Sequence, residues 1–254
     1  MSSFEGKVVV ITGAARGQGE AEAHLFAARG AKVVLTDVLE EEGRAVADAI
    51  GSAAVFVPHD VADEAAWQRV VDAAIGEFGG IDVLVNNAAV FWAKPIVEET
   101  AAAFERAIRV NLIGPFLGIK AVIEPMRARG GGAIVNIVST ASMRGFTTLV
   151  SYGSAKWGLR GLTRYAAIEL GDYRIRVNAV HPGAIDTPMM RAFGLEPGEG
   201  KLPDYPLRRA GLTDEVAELV AFVASDVASY ITGADFTIDG GFMAGTPFPM
   251  SAVT

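Results

Sequence analysis

Residues 7–19 read KVVVITGAARGQG, a β-branched run ending at Thr12 followed by Gly13-Ala14-Ala15-Arg16-Gly17-Gln18-Gly19 and then an Ala-rich segment with helical spacing. Strand, glycine turn and helix in that order suit a phosphate. Glycines permit a tight turn and close backbone approach, and a helix N-terminus offers unpaired N–H groups and a positive dipole end. The spacing is G-x-x-x-G-x-G rather than the commoner G-x-G-x-x-G, and a glycine turn alone is equally a structural element. Asp37 ends the next β run, 24 residues past Gly13. A carboxylate there accepts hydrogen bonds from an adenosine ribose and repels a 2′-phosphate, although it also suits a helix N-cap. Arg16 pulls the other way, since a guanidinium pairs with a 2′-phosphate. Repulsion by Asp37 outweighs it, so the turn points to NAD over NADP.

The same alternation continues outward. Lys7–Thr12, Ala31–Thr36, Ala53–Val57, Ile81–Asn86, Ala133–Ser139, Arg176–Val180 and Phe236–Ile238 read as strands, several continuously apolar as if buried on both faces. Between them Gly17–Arg29, Glu40–Ile50, Glu64–Phe78, Glu98–Arg129, Ser151–Leu170 and Asp214–Ala224 carry helical spacing. Repeated strand–helix–strand units mean a parallel sheet in an α/β fold, with right-handed crossovers placing helices on both faces. Residues 1–254 show no linker or repeat and read as a single domain. A Gly- and Pro-rich stretch at about 188–211 reads as a substrate loop.

With 22 basic and 30 acidic side chains the formal charge is −8, which argues against nucleic-acid and membrane partners. The absence of cysteine removes disulfides, thiolate metal sites and cysteine catalysis. No long apolar run reads as a signal peptide or a membrane span, and the expectation is a cytoplasmic location. His24, His59 and His181 are too scattered to suggest a metal site, and His181 before Pro182 reads as local backbone support.

Further motifs follow in order: Asp60-Val61, Asn86-Asn87-Ala88-Ala89, Asn111, Ser139, Tyr152-Gly153-Ser154-Ala155-Lys156 and Pro182-Gly183. From about Gly6 to Gly241 the chain thereby resembles the short-chain dehydrogenase/reductase family. Between Gly132 and Met189, above all in SYGSAKWGLRGLTRYAAIELGDYRIRVNAVHPGAIDTPM from Ser151, it is most similar to bacterial NAD-dependent 3-alpha/20-beta-hydroxysteroid dehydrogenases. The resemblance implies a doubly wound Rossmann-like domain with a seven-stranded parallel sheet. It also implies a catalytic set of Asn111, Ser139, Tyr152 and Lys156.

Elementary chemistry supports that set. Tyr152 and Lys156 are four apart at the start of a helix and share a face. A free phenol titrates near pH ~10, whereas an ammonium about 4 Å away offers up to about 4 kcal/mol at an effective dielectric of ~20. That would lower the phenol by as much as ~3 units, less the cost of desolvation, and make Tyr152 a general base or acid. Ser139, at the end of the fifth strand, is placed to hold a substrate oxygen beside Tyr152. Thr140 and Ser142 are alternatives in reach, and the family's Ser-to-Tyr spacing selects Ser139. Pro115 lacks the N–H that would bond the Asn111 carbonyl, and the resemblance implies that this freed carbonyl holds a water leading to Lys156. An ordinary kinked helix is the plainer alternative.

By resemblance, cofactor contacts fall to Gly13, Arg16, Gly17, Gln18, Gly19, Asp37, Asp60, Val61, Asn87, Ala88, Ala89, Tyr152, Lys156, Pro182, Gly183, Ile185 and Thr187. Two positions depart from the family: Gln18 is usually aliphatic, and Ala89 usually glycine. On the substrate side, segments 90–93, 140–150 and 189–207 supply Phe91, Trp92, Thr140, Met143, Phe146, Leu149, Met189, Met190 and Phe193. This apolar set suits a bulky hydrophobic alcohol or ketone, and equally a subunit interface. Arg144 is the one cation clearly near it, suited to an acidic substrate or to solvent. Phe242, Met243, Phe248 and Met250 are expected at a homotetramer interface, or else in a frayed tail. The expected activity is NAD-dependent interconversion of a secondary alcohol and a ketone on an alicyclic or steroid-like substrate. The alternatives are a 3-oxoacyl-[acyl-carrier-protein] reductase using NADPH, disfavoured by Asp37 and the net charge, and a non-catalytic nucleotide-binding scaffold.

Overall fold

Val8–Thr12 (β1) is buried at every position, and its side chains alternate between two apolar layers. Val9 and Ile11 face one layer, while Val8 and Val10 face the other. The structure, a computed structural model, describes residues 3–196 and 198–245. The remaining strands are β2 (Lys32–Asp37), β3 (Ala54–Pro58), β4 (Val83–Asn86), β5 (Gly132–Ile137), β6 (Ile175–Pro182) and β7 (Asp235–Ile238). They form one seven-stranded sheet in the order β3-β2-β1-β4-β5-β6-β7, with every pairing parallel.

Helices α1 (Gly17–Ala28), α2 (Glu40–Ile50) and α8 (Thr213–Ala224) cover one face, contributing Phe26, Val46, Val216 and Val220 to its core. On the other lie α3 (Glu64–Phe78), α5 (Gly114–Ala128) and α6 (Val150–Leu170), with Trp67, Leu117, Met126 and Leu170. Each fully buried apolar side chain contributes roughly 1.5–3 kcal/mol. Because the strand order reverses between β1 and β4, a crevice opens there at the carboxyl ends of the strands, where such sheets bind ligands.

Three boundaries differ from the sequence reading. The helical stretch from Glu98 is divided into α4 (Ala101–Ile108), a π turn at Arg109–Ile113, and α5. Thr100 starts α4 by accepting from the Ala103 N–H. Pro115 lies in the first turn of α5 and has no N–H to give, and just before it the ladder widens so that Gly114 N donates to the Arg109 carbonyl. Ser139 lies two residues beyond β5 rather than within it. The stretch 188–211 contains the short helix α7 (Pro188–Arg191), whose first turn Thr187 caps through Met190 N, and it is pinned farther on by Leu207 N donating to Gly240 O at 3.1 Å. Among the described residues no helix is long and apolar enough to cross a membrane.

Candidate active site

The glycine turn is zipped onto the loop after β4. Thr12 Oγ1 accepts from Asn87 N and Ala88 N, both at 3.0 Å, and Asn87 Nδ2 donates to the Thr12 and Gly13 carbonyls at 2.9 and 3.0 Å. A Cβ on Gly13 would stand 2.7 Å from Ala88 Cα, and one on Gly19 would press on the Gly13 carbonyl and lie 2.6 Å from Asn87 Nδ2. Those two glycines therefore answer to the chain's own packing. Gly19 is buried behind the turn and does not line the cavity, unlike Gly17 with its φ of +62°.

A cavity of about 670 Å3 runs from Asp37 and Arg16, past Gly13, Gly17 and Gln18, to Ser139, Tyr152 and Lys156. Asp60, Val61, Asn87, Ala88, Ala89, Pro182, Gly183, Ile185 and Thr187 also line it. The Asp37 carboxylate is fixed at its end, accepting from Ala15 N and Leu39 N at 3.1 Å each, and each oxygen retains a second acceptor position. A helix N-terminus, a carboxylate, and a phenol with an amine along one cavity suit the chemistry of a dinucleotide. His59, Val110, and Ala102, Glu105, Arg106 and Arg109 around α4 line the cavity too and escaped the sequence reading. No local motif marks them, because α4 reaches the crevice only through its packing.

At the other end, Lys156 Nζ donates to the Ile137 carbonyl at 2.7 Å and lies 5.6 Å from the centre of the Tyr152 ring. Burial lowers the Lys156 pKa to about 7 and pushes the Tyr152 phenol up to about 12, against a smaller downward pull from the Ser139 hydroxyl. The expected lowering of the phenol by Lys156 is therefore not met by the chain's own groups. The ammonium is spent on a backbone carbonyl and the hydroxyl is enclosed.

Ser139 Oγ accepts from Ala141 N at 3.1 Å. The Ser139 carbonyl accepts from Ser142 Oγ at 2.7 Å and stands 3.2 Å from His181 Nδ1, whose Nε2 lies 2.9 Å from Asp235. Arg160 and Arg164 hold that aspartate from α6. His181 thus supports the backbone under Ser139, as its position before Pro182 suggested. Asn111 is fully buried in the π turn and outside the cavity, and its amide exchanges two 2.9 Å hydrogen bonds with the Val90 backbone.

The expected substrate side chains divide. Met189 and Met190 line the main cavity, and the Phe91 ring stands edge-on to Tyr152 at 4.9 Å and to Phe193 at 4.6 Å. Phe146 and Leu149 line a second cavity of about 440 Å3 with Gly153 and Trp157. Trp92, Thr140 and Met143 do not line the main cavity. Trp92 Nε1 is held by Glu99 at 2.8 Å, Thr140 is buried, and Met143 S accepts from Thr237 Oγ1 at 3.7 Å. Glu99, which no motif flagged, also accepts from Ser151 Oγ beside Tyr152 and so ties this loop to the start of α6.

Arg144 is stacked over Phe146 and Phe242, 5.3 and 5.1 Å from their centres. Phe242, half-buried, is stacked within the chain on Tyr205 at 4.5 Å. Phe248 and Met250 lie outside the described residues. Among the described residues no His, Asp and Glu cluster could hold a metal.

A family profile described as enoyl-(acyl carrier protein) reductase matches residues 13–243. The chain is 45% identical over 248 residues to a trans-4-hydroxycyclohexanecarboxylate dehydrogenase of Sinomonas cyclohexanicum, covering 94% of this chain and 93% of that protein. It is 43% identical over 240 residues to a 3-alpha-(or 20-beta)-hydroxysteroid dehydrogenase of Mycobacterium bovis, covering 94% and 90%. The crystal structure of a levodione reductase superposes with a TM-score of 0.89 at 39% identity, covering 95% of this chain and 99% of that one.

Proposed function

The chain belongs to the short-chain dehydrogenase/reductase family and is an oxidoreductase of CH–OH groups; from that premise we propose that it interconverts a hydrophobic alicyclic or steroid-like secondary alcohol and its ketone, with NAD as cofactor. One observation carries the reading: Ser139, Tyr152 and Lys156 converge at one end of a cavity whose far end holds Asp37. Asp37 favours an unphosphorylated ribose, because a 2′-phosphate would meet a fixed carboxylate.

NAD, when bound, supplies the hydride acceptor for oxidation and, when reduced, the donor for reduction, and its positive ring adds charge that favours the phenolate. Tyr152 takes the alcohol proton in oxidation and returns it in reduction. Ser139 holds the substrate oxygen beside it. Lys156 Nζ, 5.6 Å from the centre of the Tyr152 ring, in its protonated form adds a positive charge on that side of the phenol. Asn111 keeps Val90 in place, and Val90, Met189 and Met190 form an apolar wall suited to a ring, with Phe91 packed edge-on against Tyr152. The relatives named for a hydroxycyclohexanecarboxylate and for hydroxysteroids support this cyclic substrate class.

The test follows absorbance at the reduced nicotinamide band with NAD+ or NADP+ and a panel of cyclic secondary alcohols. Turnover with NAD+ that falls by at least about a hundredfold in Tyr152→Phe is expected. Preference for NADP+ would overturn the cofactor reading, and full activity of Tyr152→Phe would overturn the mechanism.

Self-association as a homotetramer belongs to the same reading. Trp157, Tyr165 and Ile168 on α6 and Phe116 on α5 stand exposed, apolar surface that subunit contact would cover. Light scattering on the eluted protein measures the mass directly, and a monomer would refute it.

A further inference from the structure

Glu22 lies one helical turn beyond Gln18 in α1, with no solvent exposure. Its Oε1 is 3.2 Å from Gln18 Nε2, and its Oε2 has no hydrogen-bond partner. Gln18 in turn lines the main cavity beside Gly13, Arg16 and Gly17. A buried carboxyl with one bare oxygen, reaching a cavity only through a glutamine, is used by nothing described above.

Resting on the dinucleotide reading, we propose that Glu22 is a positioning residue for the cofactor: as an uncharged acid it holds the Gln18 amide at the glycine turn, and its ionisation weakens dinucleotide binding. A neutral carboxyl both donates and accepts, so it supports the amide of Gln18 in either orientation. A carboxylate only accepts. Gln18 Nε2 already donates to Oε1 at 3.2 Å, so ionisation locks that orientation and sets a negative charge in the first turns of α1, where the helix otherwise favours an anionic diphosphate.

Burial pushes the Glu22 pKa up to about 8, with only the Gln18 hydrogen bond acting downward. The surrounding elements bring Arg16, Glu20, His24 and Arg29 on or beside α1, and Asp214, Glu215 and Glu218 on α8. They also bring Lys32 and Asp37 on β2, and Glu40, Glu41, Glu42, Arg44 and Asp48 on α2. Arg29 pairs with Glu218, Arg209 with Glu215 and Arg44 with Glu40, while Asp37 is taken by backbone, and none of these charges contributes to the shift at Glu22. By linkage, a bound anion would raise the proton affinity of Glu22 as much as ionisation lowers the anion's affinity.

Calorimetric titration of the full chain with NAD+ between pH ~6.5 and ~9.5 tests this. The wild-type Kd is expected to rise as pH climbs through ~8, whereas Glu22→Gln, neutral throughout, should keep its neutral-pH affinity across the range. Gln18→Leu and Glu22→Leu should each weaken binding about threefold to tenfold at pH ~7, the worth of one hydrogen bond, and the double variant no more than either alone. Gln18 is only half-buried, so its variant tests the proposal even if one at Glu22 folds poorly. An alkaline loss in Glu22→Gln equal to the wild type's, or unchanged binding by Gln18→Leu, overturns the proposal while the dinucleotide reading stands. Failure of the wild type to bind either NAD+ or NADP+ overturns both.

Discussion

Lys156 Nζ donates to the Ile137 carbonyl at 2.7 Å, tying the second turn of α6 to the last residue of β5. That bond places a buried amine next to the half-buried Tyr152 while satisfying only one of its three donor positions from the protein's hydrogen-bond network. Burial lowers the lysine to about 7. Between there and its ordinary value near ~10.5, the unfolded chain holds a proton that the folded chain lacks. Stability from this group therefore rises with pH through that window, and its full cost is present below it.

Lys156→Met should accordingly stabilise the chain at pH ~7 by roughly 2 kcal/mol, allowing for the lost bond to Ile137, while turnover falls at least about a hundredfold. Urea unfolding of both proteins at pH ~7 and ~10 checks it, and the difference should shrink at the higher pH. A variant less stable than its parent at pH ~7 would contradict the account of a costly buried amine.

Asp37→Ser should shift cofactor choice. The substitution removes the carboxylate facing the ribose end, and Arg16 lines the same end of the cavity. KM for NADP+ should fall at least about tenfold and KM for NAD+ rise by a similar factor. Steady-state kinetics with both cofactors decide it, and an unchanged NADP+ KM would show that something else sets the preference.

Asn111→Ala should lose both bonds to Val90 and leave backbone polar groups unpaired beside a cavity. A cost of roughly 2 kcal/mol in stability is expected, together with a drop in kcat as Val90 and Phe91 lose their fixed position against Tyr152. Thermal melts and single-turnover kinetics separate the two effects, and a variant with native kcat would remove Asn111 from the positioning scheme.

Gly19→Ala should destabilise the chain by roughly 1–3 kcal/mol in the absence of any dinucleotide, because its methyl group would meet the Gly13 carbonyl and the Asn87 amide. Unfolding of the protein without added cofactor tests this. If stability stayed native and only NAD+ affinity fell, the glycine would serve the ligand rather than the turn.

The strand–helix alternation was legible because β1 and its neighbours are buried on both faces and so read as unbroken apolar runs. Tyr152 and Lys156 were legible because four residues are close to one helical turn. The division of Glu98–Arg129 was not, since a π turn leaves the apolar pattern nearly intact and only Pro115 hints at it. Trp92 and Phe146 looked like substrate residues from composition, yet Glu99 holds the first and a stack with Arg144 and Phe242 engages the second. Such partners lie far apart in sequence, and no spacing announces them.

By itself the sequence determined the order of elements, the glycine turn with its acid at Asp37, and the presence of a serine, a tyrosine and a lysine at workable spacings. Those features depend on periodicity and on neighbours within a few residues. Only the tertiary structure decided how the groups titrate and are held: Lys156 lowered, Tyr152 raised, Glu22 raised with its Oε1 on Gln18, and Asn111 committed to Val90. The physical reason is that protonation and orientation follow from burial and from the facing hydrogen-bond partners. For each of these buried groups the enclosing environment is assembled by packing between elements.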